Sequence, residues 1–238
     1  MGFMDFLTGG PPIKRHGRRM TDRDSQAEDR EASAYWLAKE GSDEALDALC
    51  NRFSMQLEHG MKDRKEKDLV FDLLVEHGVR GAAVARRFAA RHLLFAHAVR
   101  VVERVEGAAS ATSLLVDMLA RESVDNELKP EKKHHVLVAL AERNDPRIVA
   151  AASPFLADFD EGVRNAALEA VAAQEDASAT DVLYRALANP QEESTRVRGR
   201  LADVFATKAW PAPHDAWLDA HLPVGFRREG ELIVRAGG

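Results

Sequence analysis

Residues 160–172, DEGVRNAALEAVA, lie over residues 194–206, STRVRGRLADVFA, at an offset of 34. Val163 meets Val197, Arg164 meets Arg198, Ala167 meets Leu201, Leu168 meets Ala202, Val171 meets Phe205 and Ala172 meets Ala206. Working backwards, an offset of 31 places Val136, Leu137, Leu140 and Ala141 on Ala167, Leu168, Val171 and Ala172. A second set recurs between these segments: Leu114, Leu115 and Leu119, then Ala151, Ala152 and Leu156, then Val182, Leu183 and Leu187, then Trp217, Leu218 and Leu222. A period of about 31 to 37 residues holding two apolar helical stripes is that of an α-solenoid, in which each hairpin leaves an apolar face that the next one covers.

The rest of the chain carries the same rhythm. Short Gly, Asp, Asn and Pro punctuation cuts it into helical pieces at about 26–40, 43–58, 62–77, 79–91, 93–106, 108–122, 130–143, 145–157, 160–174, 177–188, 192–208 and 213–222. The fold class predicted is all-α, about six helical hairpins over residues 25–222. Within 93–106, Leu94, Ala98, Val101 and Val105 are expected to share the inward face. Residues 1–24 hold Gly9, Gly10, Pro11 and Pro12 followed by Lys14, Arg15, Arg18 and Arg19, and read as a flexible basic arm. Residues 223–238 read as a cap or tail, with extended stretches on either side of Glu229-Gly230 predicting a small β-hairpin.

The segment from Asp145-Pro146-Arg147 through Phe155-Leu156-Ala157-Asp158 to the Val163-Arg164 helix resembles the HEAT-like repeat, including its phycobilisome-lyase type, in which an acidic turn precedes Val-Arg at a helix start. The text from Glu28 through Phe53 to Asp63 resembles bacterial HEAT-repeat proteins, a resemblance that implies no activity. In such a repeat the turn aspartate caps the next helix, and Arg164 and Arg198 pair with acidic groups of an adjacent repeat.

With 45% hydrophobic residues in 238, the chain has enough apolar content to fold, and no apolar run approaches the roughly 18 residues of a membrane span. Cytoplasmic localisation is the expectation, because the single cysteine, Cys50, excludes an internal disulfide. Cys50 sits among Leu46, Leu49 and Phe53 and reads as packing. No nucleophile elbow, phosphate loop or dinucleotide fingerprint occurs, and none of the nine histidines forms the His-Glu dipeptide of metal-binding HEAT enzymes. Neither a metal, a cofactor nor a catalytic residue is expected.

Charge distribution is more informative. The formal net charge is −6, yet residues 78–104 hold six arginines against one acid, Glu103. On the 79–91 helix, Val84 and Phe88 point inward, Arg80, Arg87 and Arg91 share a face and Arg86 lies beside them. The expected function is a non-catalytic protein-interaction scaffold whose concave face offers Arg80, Arg86, Arg87 and Arg91 to an acidic segment of a partner protein. Two other readings stay open: a nucleic-acid-binding or DNA-glycosylase-like solenoid, disfavoured by the net charge, and a phycobilin-lyase-like enzyme. Lys14, Arg15, Arg18 and Arg19, behind the apolar Phe3, Met4, Phe6 and Leu7, form a candidate contact with an anionic membrane or another surface.

Overall fold

The computed structural model describes residues 12–126 and 128–237. It is all-α apart from one small hairpin. The helices are α1 (Pro12–Thr21), α2 (Ala27–Glu40), α3 (Asp43–Cys50, continued by a 3-10 turn over Asn51–Ser54), α4 (Gly60–Glu76), α5 (Val79–Arg91), α6 (Ala96–Glu106), α7 (Ala108–Leu119), α8 (Pro130–Ala141), α9 (Arg147–Ala152, continued by a 3-10 turn over Ser153–Ala157), α10 (Glu161–Ala172), α11 (Ala177–Leu187), α12 (Thr195–Lys208) and α13 (Ala216–Ala220). Strands β1 (Phe226–Glu229) and β2 (Leu232–Arg235) pair antiparallel, with Glu229 opposite Leu232. The chain divides into two compact units at residue 114, inside α7.

Each unit stacks hairpins as an α-solenoid does. In the first, α2 packs on α4 and α4 on α6, while the second helices α3 and α5 pack together. In the second, α8 packs on α10, α10 on α12, and α9 on α11. The repeat register read from the sequence is the buried register: Val163, Ala167, Leu168 and Val171 on α10, and Val197, Leu201, Ala202 and Phe205 on α12, are all in the core. Side chains close several helix starts, where each first turn leaves N–H groups without partners. Asp160 accepts from Val163 N at 2.9 Å, Ser194 from Val197 N at 3.2 Å and Asp215 from Leu218 N at 2.8 Å.

Three expectations need correction. Residues 12–21, expected within a flexible arm, form α1, packed on α2 and α3. Pro12 occupies the first helical position, where a missing N–H costs nothing. Gly17 does not break the helix but lets α1 approach α3, since a Cβ there would lie 3.2 Å from Ala48 Cβ. On α6 the inward set is Ala98, Val99, Val101 and Val102, with Phe95 just before the helix; Leu94 precedes the helix and is exposed. After α9, Phe155 is the buried residue in place of Leu156, because the 3-10 turn advances the side-chain direction.

Gly81 marks the tightest backbone approach. A Cβ on it would lie 1.9 Å from Leu74 O, so α5 folds back against α4 only with glycine there. At the C-terminus, β2 lies against α12 with Ile233 buried. The two-residue turn Gly230-Glu231 has φ of 60° at the glycine, as a tight hairpin requires.

Substituting Leu168→Asp would place a carboxylate at a fully buried position of α10. We expect a loss of about 4 kcal/mol or more, read as a collapse of the urea midpoint. A protein that melts like the parent would refute the register.

Candidate interaction surface

Cations set four residues into a first helix recur and do the same work. On α2, Arg30 donates to both oxygens of Glu66, at 2.9 and 2.8 Å, and to the carbonyls of Asp22 and Ser25 in the loop before its own helix. On α8, Lys133 reaches the Ser123 and Asn126 carbonyls at 3.2 and 3.0 Å and Asp158 at 2.7 Å, with both charged groups almost fully buried. On α10, Arg164 forks onto Glu192 at 2.8 and 3.0 Å and takes the carbonyls of Asp158 and Phe159. Each cation therefore fastens the loop before its helix and a carboxylate of the following hairpin or of the loop that leads into it. For Arg164 the structural pairing expected from the sequence is present. Arg198 departs from it: it donates to the His221 carbonyl at 2.7 Å and lies over the Trp217 ring at 4.6 Å, with no carboxylate.

Around Arg30 the first unit buries a larger charged cluster. Arg52, fully buried, donates to Glu66 at 2.9 Å and to Asp63 at 2.7 Å, and Lys67 meets Asp63 at 2.7 Å. Burial pushes the Glu66 and Asp63 carboxyls up. For Glu66 the hydrogen bonds from Arg30 and Arg52 reverse this, and for Asp63 those from Lys67 and Arg52, so both lie below their ordinary values. Three cations and two carboxylates, each satisfied by another member, leave no group poised to exchange a proton with a substrate. Sequence reading missed this cluster, since Arg30, Arg52, Asp63, Glu66 and Lys67 share no motif. Cys50 is fully buried and its thiol is pushed far up by that burial, in keeping with a packing role. Among the described residues no group of three His, Cys, Asp or Glu side chains could hold a metal ion.

The α5 arginines reach the surface as expected, with Val84 and Phe88 buried beneath them. They do not form one patch. Arg80 pairs with Asp43 at 2.9 Å and Arg87 with Asp47 at 3.2 Å, both on α3. Arg86 turns the other way, to Glu106 on α6. Arg91 donates to the Arg87 carbonyl at 3.1 Å. The stripe is thus interleaved with the carboxylates of α3 and is a mixed-charge surface.

On α1 the balance is different. Lys14, Arg18 and Arg19 are exposed and Arg15 half-buried, and no carboxylate among the described residues stands within ion-pair distance of any of them. The helix itself contains no acid. Its footing is firm: Met20 is buried, the His16 ring stacks on Trp36 at 4.3 Å, and His16 Nδ1 lies 3.0 Å from Ser33 Oγ. Burial, then Arg15 and Arg19, lowers the His16 pKa. Phe3, Met4, Phe6 and Leu7, expected to accompany these cations at a membrane, lie outside the described residues.

Surface grooves are shallow. In the first unit a groove of about 340 Å³ runs between α2 and α4, lined by Glu28, Glu31, Tyr35, Lys62, Lys65 and Leu69 together with Glu66 of the charged cluster. In the second, one of about 310 Å³ is crossed by the Arg200–Glu169 ion pair at 2.5 Å. No described helix is long and apolar enough to cross a membrane.

Scans against protein-family models and curated proteins each return no match. Among solved structures, the chain is similar to a TOG domain from C. elegans Zyg9, at 14% identity and a TM-score of 0.46, over 81% of this chain and 80% of that one.

The Glu66 cluster is expected to set the acid limit of the first unit. A carboxylate whose folded pKa is depressed stabilises the fold above its unfolded pKa, 4.5 for Glu66, and that stability is lost as pH falls through the lower folded value. Glu66→Gln is expected to cost about 3 kcal/mol at pH 7, because Arg30 and Arg52 lose their counter-charge. It should also flatten the decline of stability below pH 4.5, and urea melts at pH 7 and pH 3 measure both effects. An equally steep acid decline in the variant would show that Glu66 does not set the limit.

Proposed function

We propose that the chain is a non-catalytic interaction scaffold that binds an acidic segment of another protein on the surface formed by its second helices. The observation that supports this reading is the interleaving of the α5 arginines with Asp43 and Asp47 of α3. A nucleic-acid groove needs a continuous basic track to neutralise consecutive phosphates, and here the carboxylates interrupt it. An enzyme site needs free convergent groups in a recess, whereas Glu66, the cluster carboxylate that lines the α2–α4 groove, has both oxygens held by Arg30 and Arg52. A surface of opposed, partly exposed charges gives register and specificity with a protein partner of matching pattern. Helices braced by buried ion pairs present that pattern with little further ordering on binding. The chromophore-lyase and glycosylase readings find no specific group to support them.

The double substitution Arg87→Glu/Arg91→Glu tests the proposal. Both side chains are on the surface, so helicity is expected to persist and the melting temperature to fall by no more than a few degrees. Affinity capture from the protein's own cell lysate, with nuclease present, should yield a stoichiometric protein partner with the parent and a reduced yield of it with the variant. Capture that vanishes with nuclease would overturn the proposal in favour of nucleic acid.

A further inference from the structure

We infer that the exposed basic face of α1, formed by Lys14, Arg15, Arg18 and Arg19, is the principal seat for the partner's acidic segment, and that the α5 arginines flank it. The inference rests on the scaffold reading and goes beyond it in assigning the contact to a helix on which no acid offsets the positive charge.

Four observations carry it. The first is the contrast in pairing. Arg80, Arg86 and Arg87 each hold a carboxylate of their own chain. An incoming acid would have to compete for them, whereas the α1 cations have no such partner among the described residues to give up. The nearest acid in sequence, Asp22, is committed to its own turn, accepting from Asp24 N and Ser25 Oγ at 3.0 Å each.

The second is rigidity. The Met20 anchor, the His16–Trp36 stack and the Gly17–Ala48 approach fix α1 on α2 and α3, so its charges are placed before a ligand arrives. The third is spacing. Lys14 and Arg18, and Arg15 and Arg19, form two columns four residues apart, a rise of about 6 Å each. Alternate side chains of an extended segment recur every 6.6 Å or so, and acids at positions i and i+2 match either column.

The fourth is the boundary. Helix α3, packed beside α1, exposes Glu44, whereas its Asp43 and Asp47 are paired with Arg80 and Arg87. A long polyanion or an extended anionic membrane would meet Glu44 as well as the patch. A short acidic stretch within a protein meets the patch alone. Of the large apolar side chains of α1, Ile13 is half-buried and Met20 buried, and Pro12 is the exposed apolar residue the helix offers to a bilayer.

The test uses the full chain and a fluorescent ten-residue peptide alternating Glu with Ser, read by anisotropy at several salt concentrations. Binding should weaken as salt rises, fall by at least tenfold in Arg18→Glu/Arg19→Glu, and fall by a clearly smaller factor in Arg87→Glu/Arg91→Glu, whose side chains flank the seat. A second readout separates contact from altered folding. In the parent, bound peptide should relieve the repulsion of Arg15 and Arg19 on His16, and the His16 ring titration followed by NMR should move upward. No peptide binding, binding lost through the α5 variant but not the α1 variant, or tighter binding of an oligothymidine or phosphatidylserine vesicles would each overturn the inference. If Arg18→Glu/Arg19→Glu still captures a nuclease-resistant protein partner from lysate, the scaffold reading stands and the assignment to α1 falls.

Discussion

A cation at the fourth position of a first helix, reaching back to the preceding loop and across to the next hairpin, is the interaction on which the stack depends. Helical side chains lean toward the N-terminus, so a long basic side chain placed there lies over the first turn and finds the loop carbonyls. Its remaining donors meet Glu66 from Arg30, Asp158 from Lys133 and Glu192 from Arg164. Such carboxylates are costly to bury alone and tolerable when paired and hydrogen-bonded. A hairpin stacked out of register would leave both the acid and the cation buried without a partner. The apolar spine supplies most of the driving force, and the ion pairs select one arrangement of it.

Two other first helices, α4 and α12, show what happens when the partner changes. On α4 the equivalent position is Asp63, and the polarity inverts: Asp63 accepts from Arg52, Lys67 and Leu57 N. On α12 no further hairpin supplies a carboxylate, and Arg198 settles on a backbone carbonyl and the Trp217 face. There β2 lies on α12, and Arg235 meets Asp203, which also holds Arg200 at 2.8 Å. Surface pairs between successive second helices repeat the theme with smaller energies, since water competes for Arg80 and Arg87. Their consequence is electrostatic rather than energetic: they offset the charge of Arg80 and Arg87, whereas the cations of α1 have no ion-pair partner among the described residues.

Much of this was legible in the sequence. The offset of 34 between α10 and α12 identified the buried residues on both, and Gly, Asp and Pro punctuation placed α5 at its observed bounds. The same offset of 31 that aligned Leu137 with Leu168 also carries Lys133 onto Arg164, so the Lys133 clamp was readable from the register. Other features were not. Composition marks a Pro-Gly segment as a breaker, but Pro12 starts α1 and Gly17 serves a helix crossing, which depend on where the neighbouring helix lies. The neutralisation of Arg80 and Arg87 by residues 37 and 40 positions earlier depends on the lateral alignment of α3 and α5, which apolar periodicity leaves open.

The most direct test of the central claim is a double-mutant cycle between Arg164 and Glu192, using Arg164→Met and Glu192→Gln with equilibrium urea unfolding. A pair that locks one hairpin to the next predicts a coupling of about 2 kcal/mol, with the double variant more stable than the sum of the single losses implies. Losses that add to within about 0.4 kcal/mol would contradict it, leaving the stack held by its apolar spine alone.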